Sequence, residues 1–354
     1  MSKIKKLKNF YRNKKVLITG HTGFVGSWLS LFMIELNCKV YGISKCINDN
    51  SKNYKILNIS KRLKKEYFID INNHNNLDKK IKLIKPDIIF HLAAQAYVLE
   101  GFNNPLNTFK TNIIGTANVL ECSIKNKIPY NVIITTDKCY INKEKDVNFS
   151  EDSELGGDDP YSASKACAEI VSNAMSKSFS NNHIYIDTIR AGNIIGGGDF
   201  GYKRLITDIF NSIKNNKKIV IRYPQAIRPW QNVLDVIMAY SLIPLNQKNR
   251  KSNYESWNLG PSYNEKKITV LNLVKRFLKI FNKKINIKLK KNKIKEKKLL
   301  MLNSDKIKHK IKWKNQFKIN ETIDQTCIWY NIYLSGNNDK LNQYSASLIK
   351  KILN

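Results

Sequence analysis

Residues 14–26 read KKVLITGHTGFVG, and an apolar helical pattern, FVGSWLSLFMIELN, follows over 24–37. The run KKVLITG (14–20) is rich in β-branched and aliphatic residues and predicts a buried strand. It passes directly into Gly20, Gly23 and Gly26, spaced GxxGxxG. Glycines at a strand-to-helix turn permit a tight bend and close approach of backbone to a pyrophosphate, whose charge meets a helix N-terminus. A three-glycine loop alone is equally a plain tight turn. Its place in the first strand–helix unit of an alternating chain makes dinucleotide binding the better reading.

The alternation continues outward from that loop. KVYGI (39–43), YFIDI (67–71), DIIFHLA (87–93), NVIITTD (131–137) and IYIDTIRAGNI (184–194) read as strands. Between them, 75–84, 103–127 and 160–180 read as helices, with Thr108, Ile113, Ala117 and Leu120 on one face of the third helix. Short strands alternating with helices predict an α/β chain with a doubly wound parallel sheet of the Rossmann type. After about residue 190 the regularity fades. IIGGGDFG is a glycine-rich loop, followed by a helix near 203–215, a short strand at 219–223, the segment RPWQNVLDVIMAY (228–240), and a strand and turn at 257–263. Helices are expected at 269–281 and 319–333, flanking the Lys-rich 283–311. The expected division is a dinucleotide-binding domain over 1–190, to which 228–262 returns. A smaller C-terminal α/β substrate domain spans 191–227 and 263–335, and a polar tail that frays covers 336–354.

The chain has 354 residues, 61 Lys+Arg against 28 Asp+Glu, and a formal charge of +33. Such a balance invites a nucleic-acid reading. Lys, Asn and Ile are spread through every segment rather than gathered in a stripe, however, so a solvated surface accounts for the charge better. None of the six cysteines (38, 46, 122, 139, 167 and 327) forms a CxxC pair or stands near a histidine at zinc-ligand spacing. Free thiols in a reducing compartment are expected. The basic N-terminus lacks the apolar core of a signal peptide, and no apolar run is long enough to span a bilayer. A cytoplasmic protein without a membrane or nucleic-acid partner is expected. His21 and His91 each flank a strand end singly, so no metal is assigned.

Chemistry concentrates in residues 131–169. Tyr161 and Lys165 stand at i, i+4 and share one helix face. An ammonium near a phenol favours phenolate, which makes Tyr161 a candidate base for a sugar hydroxyl, with Thr136 as a second hydrogen bond to the same oxygen. Asp137 and Lys138 follow Thr136. Side chains alternate across an extended strand, so Thr136, Asp137 and Lys138 can serve one substrate only if the strand ends or bends at Asp137. Asn193 precedes Gly196, Gly197 and Gly198, where backbone can pass close to a ligand. Arg228 lies beside Pro229 and Trp230 and suits bidentate diphosphate binding. Arg204 and Arg222 are further candidates for the substrate. The second strand ends without a carboxylate, at Ser44 and Lys45, which leaves NAD and NADP both open. Asp70 is a candidate for the adenine edge.

With GHTGFVGSWLS, HLAAQ, TDKCY, LGGDDPYSASK, RAGNIIGGGD and RPWQNVL, the chain resembles the extended short-chain dehydrogenase/reductase superfamily over roughly residues 13–335. Within it, the resemblance is to the nucleotide-sugar 4,6-dehydratases, and the last four strings point to the CDP-glucose branch. The resemblance implies NAD held by Gly20, Thr22, Gly23, Phe24, Val25, Gly26, Asp70, Ile71, Leu92, Ala93, Ala94, Tyr161 and Lys165. It also implies a nucleotide sugar held by Gln95, Asn193, Arg204, Arg222 and Arg228. Oxidation at C4 acidifies C5, water is lost across C5–C6, and hydride returns to C6. In that scheme Asp137 is the acid and Lys138 the base, and Lys138 must lose its proton through burial or neighbouring cations. The stretch AYVLEGF (96–102) departs from the family pattern of a Pro and an Arg here and a Tyr at Phe102, which sets the expected substrate contacts at Leu99 and Glu100 apart. Helices 103–127 and 160–180 are those that pair across a two-fold axis in the superfamily, so a homodimer is implied. The competing readings are a 4-epimerase or a dTDP- or UDP-sugar dehydratase of the same fold, and a non-catalytic dinucleotide-binding protein with a nucleic-acid-binding surface.

Overall fold

The computed structural model describes residues 2–143, 148–179, 183–250, 252–261, 268–289 and 300–354. Strand Lys15–Thr19 lies inside a seven-stranded sheet, next to the central strand, and every pairing in the sheet is parallel. On one side it pairs with Lys39–Ser44, and Lys65–Phe68 forms that edge. On the other it pairs with Ile88–His91, followed by Tyr130–Ile134, Tyr185–Ala191 and Tyr254–Leu259. The chain therefore reverses its winding direction between Lys15–Thr19 and Ile88–His91, and the crevice at the carboxyl ends of these strands is where such sheets bind ligands. Val16, Leu17, Ile18, Ile88, Ile89 and Phe90 are fully buried, the burial expected of parallel strands covered on both faces.

The remaining elements build out from the crevice. Helix Leu205–Lys214 and strand Ile219–Ile221, paired with Ile287–Leu289, precede and flank helix Val270–Ile280. Helix Val233–Leu242 is buried along its whole length, and helix Ile319–Leu334 packs behind the glycine-rich loop at 196–198. There Gly197 has close-packing reasons: a Cβ would lie 2.0 Å from the Trp329 ring.

Several expectations are corrected. Residues beyond Ser335 do not fray: Asn338–Ile352 is a helix that buries Leu341, Ser345, Ile349 and Ile352, and Ser345 accepts a hydrogen bond from Trp329 Nε1 at 3.1 Å. Each fully buried aliphatic side chain there contributes about 1.5–3 kcal/mol, enough to hold a helix whose other faces are polar. The N-terminal Lys3–Tyr11 is a helix as well, capped by Ser2 and anchored by Leu7 and Tyr11. Residues 103–127 are not one regular helix. Pro105–Phe109 leads into a π-helical turn, Lys110–Ile114, and then Gly115–Lys125. The buried face carries Thr108, Asn112, Thr116 and Leu120 instead of Ile113 and Ala117, because the polar members hydrogen-bond Gln95, Ser164 and His91. Within the Lys-rich 283–311, Ile287–Leu289 is strand and Asp305–Ile311 helix. Residues 290–299, and the turn expected at 262–263, lie outside the described residues. Among the described residues no helix is long and apolar enough to cross a membrane.

Candidate active site

The glycine loop forms the floor of the crevice. Gly20 has φ +76°, and a Cβ there would sit 2.7 Å from the Ala93 backbone nitrogen. A side chain at 20 would therefore drive apart the two loops, 20–26 and 92–94, that the crevice brings together. Helix Phe24–Glu35 starts at Gly23 with no side-chain cap. The N–H groups of its first turn are thus left for an external acceptor, which fits a dinucleotide pyrophosphate. His21 is fixed by Glu66 (2.8 Å) and Ser44 (2.9 Å), and Thr22 N–H faces Ser44 Oγ at 3.4 Å. Asp70 accepts from the Asn72 backbone at 2.9 Å and pairs with Lys45 at 2.9 Å. Ile71 points into the core, and its carbonyl accepts from Asn118 at 3.0 Å.

The catalytic turn meets the geometric condition set by side-chain alternation. The strand ends at Ile134, Thr136 remains extended, and Asp137–Cys139 forms a 3₁₀ turn. The turn brings Thr136, Asp137 and Lys138 to one cleft with Tyr161. Thr136 Oγ1 donates to Asp137 Oδ1 at 3.1 Å, and Lys138 Nζ donates to the same oxygen at 3.1 Å. Asp137 Oδ2 is buried, with no hydrogen-bond partner among the described residues. Lys165 donates to the Ile134 carbonyl at 2.9 Å.

The electrostatics correct the expected division of labour. Burial pushes the Tyr161 phenol above its ordinary pKa, opposed by Lys138 and by the Thr136 hydrogen bond. The cations that favour phenolate here are Lys138 and, behind it, Arg204. Burial lowers Lys165 to about 8. For Lys138, burial acts downward but the charges of Asp137 and Tyr161 outweigh it, so its pKa is raised. The lowered value required of a lysine base is therefore absent in the resting pocket.

The cleft encloses about 670 Å³ and is lined by Phe24, Val25, Asn193, Arg204, Arg222 and Arg228 together with the catalytic turn. Leu99 and Glu100 also line it, while Phe102 is exposed. Arg204 is braced by Asp199 at 3.2 Å and lies over the Tyr97 ring. Gln95 does not reach into the cleft. Its side-chain amide donates to Thr108 Oγ1 at 2.8 Å and accepts from the Tyr97 backbone, so it shapes the loop instead.

Sequence reasoning missed the cluster behind the turn. Glu169 is buried and accepts from Arg190 Nη2 (2.7 Å), Thr188 (2.7 Å) and Thr135. Arg190 also donates to Tyr140 OH at 2.7 Å, and Tyr140 donates to Asn258 at 2.6 Å. The signal was present: Glu169 follows Lys165 by one helical turn, on the face that carries Tyr161.

Comparison with known proteins agrees with this architecture. A CDP-glucose 4,6-dehydratase of Salmonella typhimurium is 35% identical over 339 residues, 93% of this chain and 94% of the relative. A UDP-glucose 4-epimerase of Mycoplasma genitalium is 25% identical, covering 90% of this chain and 97% of its own. Among solved structures, the dTDP-glucose 4,6-dehydratase of Bacillus anthracis, in complex with NAD, superposes with a TM-score of 0.77 at 21% identity, over 94% of this chain and 99% of that one. The model of the family described as GDP-mannose 4,6 dehydratase matches residues 17–326, most of the chain, and the chain belongs to that family.

Proposed function

We propose that this chain dehydrates CDP-glucose to CDP-4-dehydro-6-deoxyglucose, with NAD as the bound hydride carrier. The observation that carries this reading is the convergence of Thr136, Asp137, Lys138 and Tyr161 on one cleft. An epimerase needs the phenol and the hydroxyl but no second acid–base pair. The 35% identical relative, which is a CDP-glucose enzyme, supports the choice of nucleotide. Lys45 is already paired with Asp70, so a 2′-phosphate would have to compete for it, which favours NAD over NADP. NAD held along the glycine loop supplies the acceptor for hydride from C4 and the donor to C6. Exposed Leu106, Ile114 and Ile170 lie on helices Pro105–Phe109 and Pro160–Phe179 and the π turn between. They suit the homodimer contact implied by the superfamily. A cytoplasmic location fits the nucleotide-sugar substrate.

Tyr161 takes the C4 hydroxyl proton while Thr136 holds the same oxygen. Lys138 then removes the C5 proton, and Asp137 gives a proton to the departing C6 hydroxyl, which leaves as water; when hydride reaches C6, the Lys138 ammonium gives its proton back to C5. The ion pair between Lys138 and Asp137 resolves the pKa conflict. Moving one proton across their 3.1 Å contact converts ammonium and carboxylate into amine and carboxylic acid, the base and acid that elimination requires. Displacing water from the cleft penalises the charged pair more than the neutral one, so substrate entry favours the active form.

Incubation with CDP-, dTDP- and UDP-glucose and either NAD or NADP, followed by mass spectrometry, tests the reading. A product one water lighter, formed from CDP-glucose, is expected. Conserved mass with an altered sugar would replace dehydration by epimerisation.

A further inference from the structure

Two donors in the cleft have no role in the scheme above. Tyr240, on helix Val233–Leu242, is 0% exposed and Trp230 8% exposed, and both line the cleft. Among the described residues neither Tyr240 OH nor Trp230 Nε1 has a hydrogen-bond partner. The same holds for Asn193 Oδ1 and Asp137 Oδ2, which line the same cleft. A buried polar group left without a partner is destabilising, so four in one cavity need an explanation outside the protein.

The chemistry of the four atoms narrows the ligand. Trp230 Nε1 can only donate, Asn193 Oδ1 only accepts, and a phenol does both, as does the carboxylic acid that the scheme assigns to Asp137. Burial raises the Tyr240 pKa, so the phenol is neutral. A diphosphate only accepts and is served by guanidinium groups. A polyhydroxylated ring, each of whose hydroxyls gives and takes a hydrogen bond, matches the mixed set. Tyr240 also lies within the electrostatic reach of Tyr161, which sets its hydroxyl near the reacting end of the cleft.

We infer that Trp230 and Tyr240 are sugar-binding residues that donate hydrogen bonds to hexose hydroxyls, in the cleft that they share with the acceptor Asn193. This rests on the nucleotide-sugar reading above. The test compares wild type with Tyr240→Phe and Trp230→Phe in kcat/KM for CDP-glucose, inhibition by CDP, and retention of NAD. Each variant is expected to lose about tenfold in kcat/KM, the value of one neutral hydrogen bond to a ligand, with CDP inhibition and NAD content unchanged. The melting temperature, together with those last two measurements, shows that the variants fold. Unchanged kcat/KM in both folded variants overturns the assignment. Loss of NAD instead of substrate affinity overturns it in favour of a nicotinamide contact. Wild type inert towards all three glucose nucleotides removes the underlying function, and the sugar assignment with it; an active wild type with indifferent variants removes the assignment alone.

Discussion

Thr135 and Thr136 are neighbours at the end of one strand, yet their side chains serve opposite purposes. Thr135 turns backward, donating to buried Glu169 within a cluster that also includes Arg190, Thr188 and Tyr140. Thr136 turns forward to Asp137 and Tyr161, into the cleft where Asp137 Oδ2, Asn193 Oδ1, Trp230 Nε1 and Tyr240 OH have no partner among the described residues. The difference follows from alternation along an extended backbone. Behind the strand end a dense hydrogen-bonded cluster fixes the turn in place; in front, polar atoms stay unpaired because their partners belong to a ligand. The back face carries stability, the front face chemistry.

If that division holds, the largest effect comes from the front. Tyr161→Phe should lower turnover by roughly 10²–10⁴-fold, the range for loss of a positioned acid–base group, with bound NAD and melting temperature unchanged. A variant retaining turnover would end the role of the phenol. The back face should respond in the opposite currency. Arg190→Met leaves the Glu169 carboxylate buried without its cation, a change that costs about 3–5 kcal/mol in urea unfolding. Adding Glu169→Gln should restore part of that loss. Native stability in the single variant would mean that the cluster does not brace the turn.

The two faces also differ in how far the sequence reveals them. The alternation of strands and helices, the glycine loop, and the Tyr161–Lys165 spacing are local signals, and each reappears in the fold. The condition that the strand stop at Asp137 could be stated in advance because it follows from backbone geometry alone. The Glu169–Arg190 pair joins a helix to a strand 21 residues away, and no local period announces such a contact. Gln95 and Lys165 were legible as residues of interest but not as structural donors, since their acceptors, Thr108 and the Ile134 carbonyl, are fixed only by packing. The C-terminal helix escaped notice because a narrow stripe of Leu341, Ser345 and Ile349 is hidden in a polar segment.

Lys138→Ala should divide the reaction. Oxidation at C4 continues, elimination slows by about 10²-fold, and NADH absorbance persists without the dehydrated product. Wild-type dehydration would remove Lys138 as the base. Lys165 gives a pH signature instead. Its pKa falls to about 8 on folding from an ordinary value of 10.5, so between those values the unfolded chain binds more protons and stability rises with pH. Subtracting a Lys165→Met control isolates this rise. A difference curve flat from pH 8 to 10.5 would show that burial does not perturb the amine.

The smallest effect belongs to the rim of the cofactor loop. Lys45 is 69% exposed where it meets Asp70, and solvent screening limits such a pair to about 0–1 kcal/mol. Lys45→Ala should therefore leave stability nearly unchanged and NAD affinity within about fivefold of wild type. Asp70→Asn is the sharper variant, because it keeps the side-chain shape while releasing the Lys45 charge for a 2′-phosphate. The NADP-to-NAD affinity ratio should then rise, and Lys45→Ala in the same background should cancel the gain. An unchanged ratio in Asp70→Asn would mean that cofactor choice is set by the hydrogen-bonded set of His21 in the glycine loop, Ser44 at the end of the second strand and Glu66 on the third rather than by this exposed charge.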